Sequence, residues 1–90
     1  MDRVKMVLTG KVQAVGFRQY ARLEADKLGI TGYIRNMPDG SVVIVGEGVD
    51  WKLKKFIDAC KKGPFLSFVQ NAAIELKQGE QKYKVFEVRF

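Results

Sequence analysis

Residues 10–18 read Gly10-Lys11-Val12-Gln13-Ala14-Val15-Gly16-Phe17-Arg18, and the period of the chain changes across them. Upstream, Val4, Met6 and Leu8 alternate with Arg3, Lys5 and Thr9, broken only by Val7, as in a strand with one face in a core. Downstream, Phe17, Tyr20, Ala21, Ala25 and Leu28 fall three or four apart, and Gly29 stands where helices end, so a helix spans Phe17–Leu28. The nine residues are therefore a strand-to-helix loop. Two glycines bracket it, and an arginine arrives as the helix begins.

The remaining elements follow outward from that unit. Ile30 to Asn36 and Ser41 to Val45 read as a hairpin through Met37-Pro38-Asp39-Gly40, a strong turn signal. Asp50 offers an N-cap to a second helix with Leu53, Phe56, Ile57 and Cys60 on one stripe, and Gly63-Pro64 stops it. Trp51, near its start, reads as a packing residue. Phe68 to Lys77 and Tyr83 to Phe90 are the last extended segments, with Gln78-Gly79-Glu80 as the turn between them. The order is β-α-β-β-α-β with an extra strand at one end, and the economical packing is an antiparallel sheet covered on one face by two helices. In that topology the first and second strands run the same way on either side of a third. The 10–16 loop and Asn36 then share a rim, with their parent strands about 10 Å apart.

Ninety residues make one domain, residues 1–90, large enough to fold on its own core. A single cysteine forms no internal disulfide, which favours a reducing compartment and places the protein in the cytoplasm. Arg3 and Lys5 interrupt the first apolar residues and no run is long enough to span a bilayer, so neither a signal peptide nor a membrane partner is expected. The formal charge of +6 raises the local concentration of anions without choosing among them.

A glycine-bracketed loop leading into a helix presents successive backbone N–H groups, including first-turn donors that have no partner inside the helix. With Arg18, whose guanidinium forks onto two oxygens, such a loop suits a phosphoryl group. On the residues alone a second reading stays open: Gly16 simply starts the helix and Arg18 lies on its solvated face. Likewise Asn36 is either a site residue or a turn starter before Pro38. Arg35 and Lys11 fit solvated faces, and Asp39 and Gly40 fit the turn. Walker-type spacing is absent, Leu66 stands where a cysteine phosphatase needs arginine, and Cys60 fits the core. With no histidine and no clustered ligands, the usual base and a metal site are both missing from the sequence.

The loop together with Gly32-Tyr33-Ile34-Arg35-Asn36-Met37-Pro38-Asp39-Gly40-Ser41-Val42 resembles the paired motifs of the acylphosphatases, over essentially the whole chain. The resemblance implies a ferredoxin-like α+β sandwich that hydrolyses the carboxyl-phosphate bond of small acyl phosphates, releasing inorganic phosphate, with no cofactor and no metal. It places the phosphate-binding arginine at Arg18, the water-orienting asparagine at Asn36, and the phosphate cradle on the backbone of about Val15, Gly16, Phe17 and Arg18. A monomer that binds no nucleic acid is expected. The family's loop usually reads Gln-Gly-Val-Gly-Phe-Arg, whereas here a glycine has become Ala14. Alanine there is strained if φ is positive and harmless if it is negative. Two other readings compete: a module that binds a phosphorylated metabolite without turnover, and an RNA-binding domain of the same topology. The latter needs aromatics on central strands where Val42 to Val45 are β-branched.

Overall fold

Alternation in the first segment becomes strand β1 (Asp2–Lys11), with Val4, Met6 and Leu8 fully buried. The 3.6-residue period becomes α1 (Phe17–Leu28), which buries Phe17, Ala21 and Ala25 and ends at Gly29 in the left-handed conformation. Then come β2 (Thr31–Asn36), β3 (Val42–Gly48), α2 (Asp50–Lys62), β4 (Phe68–Gln78) and β5 (Phe86–Arg89). The computed structural model describes residues 1–90. Both helices lie on one face of a five-stranded sheet ordered β4-β1-β3-β2-β5, a ferredoxin-like α+β sandwich.

β1 is antiparallel to β3 and β4, and β2 is antiparallel to β3, so β1 and β2 run the same way on either side of β3. Leu8, Val42 and Asn36 form one row across these strands. Because side chains alternate along a strand, Asn36 points to the same side as Ile34, toward the helices. Gly10 begins a bulge against β4 with φ 119°, and a Cβ there would run into the Phe68 carbonyl oxygen.

Four sequence expectations need adjustment. The sheet is mixed rather than wholly antiparallel, since β5 joins the outer edge of β2 in parallel. Residues 78–80 consequently make no hairpin turn: β4 runs through Gln78, and the chain crosses to the opposite edge before β5 begins at Phe86. At α2 the N-cap is Val49, with no side-chain hydrogen bond, while Asp50 lies in the first turn, 3.5 Å from Lys54 Nζ. Trp51 is 58% exposed rather than packed, and Lys52 and Lys55 approach its ring within 5.5 and 5.4 Å.

In the core, Phe56 meets Phe86 edge to face at 5.7 Å, and the Tyr20 hydroxyl donates to the Ala59 carbonyl, tying α1 to α2. Cys60 is fully buried; burial pushes its thiol pKa far up, so it behaves as a small apolar residue. On the other face of the sheet, Glu47 is 1% exposed beneath the 79–85 crossing. Arg3 Nε donates to its carboxylate at 2.9 Å, as do the backbone N–H groups of Lys82 at 3.0 Å and Tyr83 at 2.8 Å. Gly32 N–H then donates to the Val85 carbonyl, which starts the pairing of β2 with β5.

Burial alone would raise the Glu47 pKa, but the Arg3 guanidinium and the Tyr83 and Lys82 N–H groups outweigh it and hold the carboxyl below its ordinary 4.5. A depressed folded value means stability that is fully present above the ordinary value and lost as pH falls through the folded one. Glu47→Gln is expected to cost about 2 to 4 kcal/mol at pH 7 in denaturant unfolding. The gap from wild type should narrow as pH drops below 4.5; a pH-independent gap would contradict the ion-pair assignment.

Candidate active site

The strand-to-helix loop is pinned at both ends and arched between them. Val12 is buried and Val15 packs against the core, which leaves Ala14 and Gly16 facing solvent. Ala14 has φ 59° and Gly16 has φ 79°, with Val15 between them at negative φ. Such alternation curls successive N–H groups around a concavity that attracts anions. Gly16 is also the N-cap of α1, and no side chain caps the first turn, so the amides of Phe17 and Arg18 keep free donors. The positive end of the helix dipole adds to the attraction.

Gln13 joins this loop to the end of β2. Its side-chain Nε2 donates to the carbonyls of Met37 and Ser41, each at 2.8 Å. The turn it grips is closed by Met37 N–H on Ser41 O and by Gly40 N–H on Met37 O. Within the turn, Asp39 Oδ1 accepts from the Ser41 hydroxyl at 2.6 Å and the Ser41 N–H at 2.9 Å, and those donors hold its carboxyl below the ordinary range. Just before the turn, Asn36 Oδ1 is buried with no hydrogen-bond partner. An orphaned buried acceptor costs about 1 to 3 kcal/mol, so its retention calls for a donor that arrives with a ligand.

Loop and strand end meet in one cleft of about 700 Å³. Gly16, Phe17 and Arg18 line one side, Asn36 lies opposite in the same space, and Val88 and Phe90 close it from the β5 edge. Arg18 is half-buried, and its guanidinium carbon sits 4.7 Å from the centre of the Phe90 ring. Val15 does not line the cleft, because its side chain turns into the core, whereas Ala14 does. No three His, Cys, Asp or Glu side chains gather to hold a metal ion. The arrangement can bind a tetrahedral oxyanion through amides and a guanidinium and hold one water against a carboxamide oxygen.

Sequence reasoning named Val15, Gly16, Phe17, Arg18 and Asn36 and missed Gln13, Arg22 and the β5 lining. Gln13 was legible in part, as a carboxamide inside a loop that must be held to something. Arg22 stands four residues after Arg18 and so on the same helix face. The β5 residues carried no local signal, since their place depends on parallel pairing with β2.

The left-handed Ala14 carries strain of about 1 to 2 kcal/mol that glycine would relieve, offset in part by the greater freedom of glycine in the unfolded chain. Ala14→Gly is expected to raise stability by about 0.5 to 1 kcal/mol, or a few degrees in Tm, and to match or exceed wild-type turnover. A lower Tm in the glycine variant would contradict positive φ at this position. Gln13→Leu is expected to weaken inorganic phosphate binding about tenfold in calorimetry, because a released turn no longer fixes loop against strand; unchanged affinity would show that the two grip independently.

Comparison with known proteins agrees with this fold. The acylphosphatase family model matches residues 4–88. An acylphosphatase of Archaeoglobus fulgidus is 42% identical over 91 residues, covering all of both chains. One of Actinobacillus pleuropneumoniae is 40% identical over 89 residues, 99% of each chain. The crystal structure of acylphosphatase from Bacillus subtilis superposes with a TM-score of 0.96 at 31% identity, covering all of both chains. A cradle and an orphaned carboxamide at the two motif positions, within a full-length match of this kind, lead to one conclusion: the chain belongs to the acylphosphatase family.

Proposed function

We propose that this chain, acting through residues 1–90 as one unit, hydrolyses small acyl phosphates to a carboxylate and inorganic phosphate. Arg18 and the amides around Gly16, Phe17 and Arg18 hold the three phosphoryl oxygens, with the Val15 amide completing the cradle. Asn36 Oδ1 accepts a hydrogen bond from a water and aims its oxygen at phosphorus, in line with the acyl oxygen. As the water oxygen bonds to phosphorus, the bond from phosphorus to the acyl oxygen breaks and the carboxylate leaves with the electron pair. Both water protons stay with the phosphate, one on the new oxygen and one passed to a cradle-held oxygen.

The carboxylate is a good leaving group, so positioning and charge stabilisation supply most of what the reaction needs and no histidine base is required. The observation that carries this reading is the buried Asn36 oxygen without a partner in the same cleft as Arg18. We read the chain as a cytoplasmic monomer, and the one cysteine, buried and unpaired, fits a reducing setting. No helix is long and apolar enough to cross a membrane.

Steady-state kinetics on acetyl phosphate test the roles. Arg18→Ala is expected to raise KM and to abolish inhibition by inorganic phosphate. Asn36→Ala is expected to lower kcat a few hundredfold, about 3 to 4 kcal/mol of barrier, while phosphate inhibition stays near wild type. Full activity in either variant would overturn the assignment. Phosphate binding without turnover by the wild type would replace hydrolysis with a sensing role.

A further inference from the structure

The cleft is far larger than the phosphoryl group and a two-carbon acyl chain that its cradle requires, and the chemistry of the remaining space is uneven. Arg22 lines it one helical turn beyond Arg18, about 6 Å along the axis of α1. Its guanidinium takes part in none of the ion pairs, cation–aromatic contacts or side-chain hydrogen bonds of the chain. By contrast Arg3 is held by Glu47, Arg89 by Glu87 and Tyr33, and Arg18 rests against Phe90. The one acidic side chain lining the cleft, Glu87, is engaged by Arg89 Nη2 at 3.2 Å and does not answer Arg22. Beyond the cradle the cleft therefore offers a second guanidinium with all its donors free.

We propose that Arg22 is a specificity-determining residue that selects acyl phosphates whose acyl group carries a second anionic group, such as the monophosphates of short dicarboxylic acids. The inference rests on the hydrolytic reading above and deepens it. A phosphoryl group seated on Arg18 and the loop amides directs the acyl chain away from the cradle. In a four-carbon acyl phosphate, a terminal carboxylate lies at a distance from phosphorus comparable to the axial offset of the two arginines. A planar guanidinium engages a carboxylate through two parallel hydrogen bonds, which a methyl group cannot accept, so the gain is selective rather than general.

Succinyl phosphate and butyryl phosphate test this cleanly, because they match in length and differ at the terminal carboxylate or methyl. For the wild type at low ionic strength, kcat/KM is expected to favour succinyl phosphate about tenfold, with the preference shrinking as salt rises. Arg22→Gln is expected to bring the ratio close to one, mainly through the KM of the carboxylated substrate. Lys27→Gln, which removes a charge from the same helix outside the cleft, should keep the wild-type ratio. A wild-type ratio near one, a preference that survives Arg22→Gln, or an equal fall for both substrates would overturn the proposal.

Phosphonate analogues with a methylene in place of the bridging oxygen, measured by calorimetry, separate this idea from hydrolysis itself. A carboxylate preference in binding that Arg22→Gln removes upholds the anion subsite even if the wild type cleaves neither substrate. Analogues bound without preference, or not bound, refute it.

Discussion

Two side-chain amides with opposite hydrogen-bond states organise this molecule's cleft. Gln13 spends its donors on two backbone carbonyls of the β2–β3 turn, and that expenditure fixes the distance between the oxyanion loop and the end of β2. Asn36, a few residues away on the strand so gripped, leaves its oxygen buried and unanswered. The Gln13 donors hold the frame, and within it Asn36 keeps a buried acceptor without a partner. Without the first, the second would relax toward water or toward a neighbour, and the geometry that distinguishes a reactive cleft from an anion-binding loop would be lost.

Local costs concentrate at this rim. Ala14 occupies a left-handed conformation that disfavours side chains, and the Asn36 oxygen gives up its hydrogen bond on burial. Both are tolerated because the surrounding structure is over-determined: Val12 and Val15 are packed, Gln13 is bonded twice, and the Leu8–Val42–Asn36 row fixes the strand register. At the far end of the sheet, the buried Glu47 performs a comparable service. It ties down the crossing that brings β5 to β2, and so sets the wall of the cleft opposite Arg18 and Arg22.

Much of this was legible in the residues. Periodicity located β1 and α1, and the shift between periods located the loop, because burial on one face leaves a local trace every two or every 3.6 residues. The Pro38-Asp39-Gly40 turn and the shared rim of Gly16 and Asn36 followed from turn chemistry and from the direction of chain crossings. The mixed sheet was not legible, since Phe86 and Val88 look the same whether their strand pairs in parallel or antiparallel fashion. Val49 capping α2 in place of Asp50 was equally hidden: both residues are present, and only the backbone path decides which one caps. Trp51 misled because aromatic size argues for burial, while here its ring lies outside between two lysines. The sign of φ at Ala14 decides between strain and indifference, and it belongs to the folded loop alone.

The central claim is that the carboxamide of Asn36 directs water to phosphorus rather than to the acyl carbon. Hydrolysis of acetyl phosphate by the wild-type chain in water enriched with oxygen-18, followed by mass spectrometry of both products after one turnover per substrate, reads the site of attack directly. The account predicts one heavy oxygen in inorganic phosphate and none in acetate. Label in acetate would place the attack at the carbonyl and contradict the role given to the cleft.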